Sequence, residues 1–359
     1  MNLLVAMSGG VDSSVAAALL RDAGHDVTGC TLKLWGGASD AGCCSVADVD
    51  DARRVAQQLG IPHTVFGFAD EFLAGVVEPY IAAHAAGRTP NPCVECNRTI
   101  KFDRLLQRAM QLGFDAIATG HHARVVDGRL RRGVDRAKDQ SYVLHMLDRE
   151  RLARILLPVG ELTKHDVRAR ARDLGLRTAT KPDSQEVCFL PGGGRDRSAL
   201  IATTPGRVVD DDGVELGAVA AIELVTVGQR RGLDIGGGAE PRYVLDVDVA
   251  SATVTVGPLA ALLTHHVDID AASWVDGEPI GDVLVQTSAH GAATEATYAA
   301  GTVHFAEPVR RIAPGQSVVL YEGDAVLGGG IASTRMRRDA ASASSARGRV
   351  GVHSSASAS

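Results

Sequence analysis

A chain of 359 residues, 45% of them apolar, has room for two or three ordinary domains at roughly 100–200 residues each. Its formal net charge of −6 argues against a globally basic nucleic-acid binder and leaves a local basic face as the route to a polyanion. No run approaches the ~20 apolar residues of a membrane span, and the start lacks the basic region and apolar length of an export signal. The expectation is a cytoplasmic protein with no membrane contact, whose six cysteines stay reduced and serve catalysis or metal binding.

Taken in chain order, residues 3–6 predict a buried strand, 13–23 a helix, 27–32 a strand, 48–59 a helix, 63–66 a strand, 100–112 a helix and 116–119 a strand. Such alternation predicts an α/β fold, a doubly wound parallel sheet with helices on both faces. Residues 148–174 look helical, broken near Gly160, with Thr163 as an N-cap. Beyond Pro191 the texture changes to short β runs at 206–209, 224–227, 243–249 and 254–256, then a second β set over 267–331. The expected domains are 1–196, a catalytic α/β domain with a helical part; 197–262, a small β domain; 263–336, a β-barrel; and 337–359, a disordered Ser- and Ala-rich tail.

Ser8-Gly9-Gly10-Val11-Asp12-Ser13-Ser14 follows the first strand and opens the first helix. Glycines there allow close backbone approach, and helix N–H groups with serine hydroxyls suit an anion. The spacing matches neither the Gly-x-x-x-x-Gly-Lys loop nor the dinucleotide fingerprint. It resembles the loop of the adenylating ATP pyrophosphatases, which implies cleavage of ATP to AMP and pyrophosphate, with Asp12 near Mg²⁺. The loop does not name the acceptor.

The cysteines bear on that acceptor. Cys93 and Cys96 stand after Pro90 and Pro92 and before the expected helix, and Cys188 lies in a loop-like segment. Cys30 reads as a small buried hydrophobe, and so do Cys43 and Cys44. A zinc site from Cys93, Cys96 and Cys188, completed by His121 or His122, is a further reading.

The ordered blocks Ser8–Ser14, Leu32-Lys33-Leu34-Trp35, Gly87-Arg88-Thr89-Pro90-Asn91-Pro92, Ile100-Lys101-Phe102, Gly120-His121-His122, Lys138-Asp139-Gln140-Ser141-Tyr142, Cys188-Phe189-Leu190 and Gly228-Gln229-Arg230-Arg231-Gly232-Leu233 resemble the bacterial tRNA-specific 2-thiouridylases over about residues 1–331. The resemblance implies an ATP pyrophosphatase domain followed by two β domains, and ATP-dependent 2-thiolation of the wobble uridine of tRNA. Ala6, Met7, Ser8, Gly9, Gly10, Val11, Asp12, Ser13, Leu32 and Gly120 would line the ATP site. Asn91, Pro92 and Cys93 would meet the target base, and His121, Lys138, Asp139, Gln140 and Gln316 the tRNA. Cys188 would carry a persulfide, and Cys96, the nucleophile, would end in a disulfide with it. A cysteine desulfurase or sulfur-relay protein would be the donor.

Many relatives carry Asp where Cys93 stands, and the family's barrel contact to tRNA is absent at Ser288-Ala289. A [4Fe–4S] cluster on Cys93, Cys96 and Cys188 is an alternative sulfur carrier. Another ligase with the same ATP loop, and a non-enzymatic RNA-binding module, are the remaining alternatives.

Overall fold

The computed structural model describes residues 1–35, 45–183, 187–190, 196–236 and 240–333. Cys43, Cys44, the 191–194 segment and the tail 337–359, on which the sequence carried expectations, lie outside the described residues.

The first unit is built on a five-stranded parallel sheet in the order β3 (His63–Gly67), β2 (Asp26–Lys33), β1 (Asn2–Ala6), β4 (Ala116–Thr119), β7 (Ile155–Leu156). Leu3, Leu4 and Val5 of central β1 are fully buried. Side chains alternate across a strand, so Leu4 joins the core on one face while Leu3 and Val5 join the core on the other. Helices α1 (Val11–Asp22) and α2 (Val46–Leu59) cover the second face. Two longer helical stretches, 69–85 and 92–111, cover the first. The chain leaves β1 for β2 on one side and returns to β4 on the other. The loop after β1 therefore opens at the sheet's switch point, where open α/β folds bind ligands.

Several expectations need correction. The helix placed at 100–112 begins at Pro92, because Asn91 caps it by accepting a bond from Cys93 N–H at 3.0 Å and proline suits the first helical position. Its Cys96–Arg104 stretch is π-helical before α geometry resumes. Residues 148–174 are not continuously helical: Arg149–Leu152 is one turn, Ile155–Leu156 joins the sheet beside β4, and Pro158 starts a tight turn. Lys164–Asp173 is the real helix, and Thr163 caps it in a reciprocal box with Asp166, as expected. Residues 224–227 form no strand, because Ile222–Leu224 is a tight turn that buries Ile222.

The middle unit is a four-stranded sheet of β8 (Gly206–Val209), β9 (Glu215–Val219), β10 (Tyr243–Asp248) and β11 (Thr253–Gly257), ordered β10-β11-β8-β9. The last unit runs through β12 (Leu263–Trp274), β13 (Gly281–Gln286), β14 (Thr294–Ala299), β15 (Thr302–Arg310), β16 (Ser317–Glu322) and β17 (Ala325–Ala332). It closes into a barrel because β12 pairs with both β15 and β17. A hairpin of the first unit, β5 (Ala123–Val126) and β6 (Arg129–Arg132), extends this sheet through Arg131 opposite Ala325.

The three units meet at residues 84–89. His84 bonds to the Glu223 carbonyl at 3.0 Å, Thr89 N–H donates to Pro314 O at 2.8 Å, and Gln316 Nε2 donates to Thr89 O. A Cβ on Gly315 would come within 3.0 Å of Thr89 N. The barrel and the middle unit thus fix the backbone that enters the Asn91–Cys96 turn.

Candidate active site

The loop after β1 is held open by its own hydroxyls. Ser8 N–H donates to Ser13 Oγ at 3.1 Å, and Ser14 Oγ–H donates to Gly10 O at 2.7 Å. Gly9 has φ +72°, and a Cβ there would sit 2.3 Å from Asp48 O. Gly120, at the end of β4, faces the start of α1 so closely that a Cβ would lie 2.5 Å from Ser13 N. Gly120 keeps a side chain out of the space before the α1 N-terminus, whose N–H groups suit an anion, and Gly9 lets the loop pass against the α2 backbone.

Two lysines remote in sequence complete the cradle. Lys164 Nζ reaches Asp12 Oδ1 and Oδ2 at 2.7 and 2.6 Å and Asp183 Oδ1 at 2.8 Å. Lys181 Nζ donates to Gly9 O at 3.0 Å, Asp48 Oδ1 at 2.6 Å and Asp51 Oδ2 at 2.8 Å. His122 Nε2 lies 3.1 Å from Asp12, and Lys138 and Arg168 also pair with Asp183. Burial alone would raise the Asp12 pKa, but the bonds from His122 and Lys164 hold it below the usual carboxylate value. The same contest at Asp183, won by Lys164 and Lys138 over burial, leaves its pKa at about 2. Both carboxylates are charged at neutral pH, and Asp12 is engaged by Lys164 and His122.

Sequence reading missed Lys164, Lys181, Asp48 and Asp183. A signal was present: in this Arg-rich chain Lys stands only at 33, 101, 138, 164 and 181, and three of the five converge here. A compact ammonium can sit between several carboxylates, which a planar guanidinium does less well.

The cysteines sort by burial. Cys30, Cys93, Cys96 and Cys188 are all thiols. Cys30 is buried in β2 and burial drives its pKa up, in keeping with a packing role. Cys96 is 8% exposed, in the same apolar core as Phe72, Tyr80 and Phe189. Cys188 is half-buried and packs on that same core. Its neighbour Phe189 is locked edge-on against Phe72 and Tyr80 at 5.7 and 5.3 Å. Upstream of Cys188, Lys181 binds the phosphate loop at Gly9 and Asp183 binds Lys164, while Phe189 packs in the Cys96 core. Cys93 is exposed on the first turn of its helix.

The remaining expected site residues take internal partners. Leu32 is buried in β2. His121 is 8% exposed, bonds to Thr119 at 2.7 Å, and is held neutral by burial and by the nearby Lys101 and His122. Asp139 accepts bonds from Gly133 N–H, Ser141 N–H and Arg132. Gln140 Oε1 accepts from His122 N–H at 2.9 Å, and Gln316 holds Thr89. Among the described residues, the one tight group of three potential metal ligands is the exposed Asp210-Asp211-Asp212 turn, remote from these residues in sequence.

An open parallel sheet with a glycine–serine anion cradle at its switch point, backed by two ammonium groups and followed by two β domains, defines an α/β nucleotide-using enzyme. The chain matches three family descriptions: "tRNA methyl transferase HUP domain" over 1–192, "tRNA methyl transferase PRC-barrel domain" over 198–258 and "Aminomethyltransferase beta-barrel domain" over 264–332. It is 46% identical to the tRNA-specific 2-thiouridylase MnmA of Roseiflexus sp., over 94% of this chain and 99% of that one. The figures are 48%, 92% and 99% for the MnmA of Mycobacteroides abscessus, and 44%, 96% and 99% for that of Thermobifida fusca. The chain belongs to the MnmA family of tRNA-specific 2-thiouridylases. A solved 4-thiouridine synthetase–RNA complex with bound ATP aligns with 50% of this chain and 42% of its own, at 16% identity and a TM-score of 0.35. Among the described residues no helix is long and apolar enough to cross a membrane.

Proposed function

We propose that the protein replaces the 2-oxygen of the wobble uridine in tRNA with sulfur, using ATP as the activator. ATP seats its phosphates on the Ser8–Ser14 loop, with Lys164 and Lys181 beside them. The uridine O2 attacks the α-phosphorus, pyrophosphate leaves, and a poor leaving group becomes AMP. A persulfide on Cys188 delivers its terminal sulfur to C2, and AMP departs. Cys96 attacks the Cys188 sulfur that bears this terminal atom, so the S–S bond breaks as the Cys96–Cys188 bond forms. Two external thiols, or one dithiol, then reduce the Cys96–Cys188 bond and leave as a disulfide. Mg²⁺ arriving with ATP would offset phosphate charge, and Asp12, which belongs to the loop itself, would be a carboxylate for it, since Mg²⁺ takes one or two carboxylates plus phosphate oxygens.

The observation that carries the reading is the continuity of one segment. Lys181 binds the phosphate loop at Gly9, Asp183 meets Lys164, which in turn holds Asp12, and a few residues later Cys188 and Phe189 pack on the core that holds Cys96. An iron–sulfur cluster fits this arrangement less well, because Cys93 is exposed while Cys96 lies in an apolar core. The chemistry is tested by incubating enzyme, tRNA, ATP and a persulfide donor and resolving the products. AMP and 2-thiouridine are expected in equal amounts; ADP and phosphate as the nucleotide products overturn it.

Cys93 adjoins the Asn91-Pro92 turn, and its exposed side chain is open to a base entering there. We expect Cys93→Ser to slow thiolation by about tenfold or more, in the range of a lost proton-transferring or nucleophilic group, with ATP affinity unchanged. Single-turnover kinetics with and without oxygen check this, and full activity of the serine variant in both rules out a chemical role.

A further inference from the structure

One loop of the middle unit sits beside the segment that enters the Asn91-Pro92 turn, and the sulfur-transfer scheme gives it no task. Gly228-Gln229-Arg230-Arg231-Gly232-Leu233 follows Thr226, whose hydroxyl meets the Thr89 hydroxyl at 3.3 Å. Leu233 is buried in the middle core, while Arg230 and Arg231 are exposed. Gln229 braces the loop from within. Its Oε1 accepts from Thr226 N–H at 3.1 Å, and its Nε2 donates to Arg231 O at 2.8 Å. The loop also lies alongside the start of β10, because Gly228 N–H donates to Val244 O at 2.8 Å and Val244 N–H to Gln229 O at 2.9 Å. The glutamine is occupied by backbone, so the two arginines are what the loop presents.

Two more guanidiniums arise next to it. Arg242 precedes Tyr243, the first residue of β10, and Arg310, the last residue of β15, stands over the Tyr243 ring at 5.7 Å. Arg310 is exposed and Arg242 half-buried. Among the described residues none of these four arginines forms an ion pair, and neither do Asp234, Glu240 and Glu307, the acidic residues nearest them in sequence. Cations nearer the phosphate loop and the Cys93 helix are engaged instead: Lys138 with Asp183, Arg98 with Glu95, Arg124 with Asp324 and Arg132 with Asp139. A chain of net charge −6 needs a local basic face to hold a polyanion, and this junction of middle unit and barrel supplies one. Guanidiniums suit it, since their fork matches the oxygens of a phosphate.

We infer that this junction is a phosphate-binding surface for RNA, on which Arg230, Arg231, Arg242 and Arg310 hold the sugar–phosphate backbone adjoining the anticodon loop. Contacts of this kind fix the register of a nucleic acid without reading its sequence. The Thr226–Thr89 bond links the surface to the turn where the target base enters. The inference rests on the RNA-modifying reading above and adds to it the place where the substrate is gripped.

The test measures binding of an unmodified tRNA transcript across a range of salt concentrations. The proteins compared are the wild type, the double variant Arg230→Gln/Arg231→Gln, the single variants Arg242→Gln and Arg310→Gln, and Arg207→Gln. Arg207 removes the same charge from the same unit, but it pairs with Thr253, four residues along β11 from the Gly257 that faces Tyr243. The double variant should raise Kd by about tenfold or more, as expected for lost charge-assisted bonds. Its slope of log affinity against log salt should fall by about two, and that of each single variant by about one, one unit per phosphate contact. KM for tRNA should rise with Kd while kcat at saturating tRNA holds, a split that general loss of folding does not give. Arg207→Gln should leave both Kd and slope near wild type. If the wild type binds tRNA and the double variant matches it in Kd and slope, the surface does not hold phosphates. Equal weakening by Arg207→Gln would reduce the effect to net charge and overturn the assignment. Unchanged tRNA binding with slower transfer from a protein persulfide donor would overturn it too, since the surface would then receive the donor. If the wild type binds no tRNA at all, the functional reading itself falls.

Discussion

Cys188→Ser should abolish 2-thiolation while leaving ATP binding intact. The serine is nearly isosteric, so Phe189 still seats against Phe72 and Tyr80, Lys181 still binds Gly9 of the phosphate loop, and Asp183 still holds Lys164. What is lost is the only atom of that side chain able to carry a second sulfur. Loss of a covalent nucleophile typically costs on the order of 10⁴-fold or more, and that is the size expected for transfer from a purified persulfide donor. ATP affinity should stay within about twofold, because Lys164 and Lys181, which hold Asp12 and Gly9 of the loop, are untouched. Donor preparations must be free of sulfide, which could reach the activated uridine without the cysteine. Retained transfer under those conditions removes Cys188 from the carrier role.

The parts of this site that are local in sequence were legible, and the parts made by chain crossing were not. The Ser8–Ser14 loop declares itself because strand, glycines and helix start are contiguous. Asn91-Pro92 is equally local, a capping residue followed by a first-turn proline, and the helix starts there rather than near residue 100. Lys164 was visible only as part of a capping sequence, because its partners Asp12 and Asp183 lie on other segments of the chain. The β5–β6 hairpin gave no sign that it would extend a barrel sheet formed some 190 residues later, at Ala325. The two π-helical stretches, Leu73–Val77 and Cys96–Arg104, pack side by side under the Cys96 core, and periodicity tuned to 3.6 residues does not announce them. Asp139 and Gln140 were assigned outward roles by resemblance. Their side chains brace His122 and the Gly133 turn, so any contact they make with RNA is made by a segment they hold rigid.

Lys164→Ala should reduce AMP formation by about 10²–10³-fold, the usual cost of removing one preorganised charge from developing oxyanions. The lysine stands between Asp12 and Asp183 and beside the loop that would hold the phosphates. Removing it leaves two carboxylates facing that anion site, so repulsion adds to the lost attraction. Lys181→Ala makes a useful contrast. It frees the Gly9 carbonyl and the Asp48–Asp51 pair, which shape the loop, and should raise KM for ATP more than it lowers kcat. Lys164→Arg should recover only part of the loss, since a planar guanidinium cannot occupy the junction of Asp12 and Asp183 as an ammonium does. A purely structural role would show differently: melting temperature would fall, but kcat per folded molecule would survive and arginine would restore both. The measurement is therefore AMP release under saturating ATP together with thermal unfolding, for all three variants. AMP release by Lys164→Ala within threefold of wild type would mean that the ammonium only braces Asp12 and Asp183 and gives the departing pyrophosphate nothing.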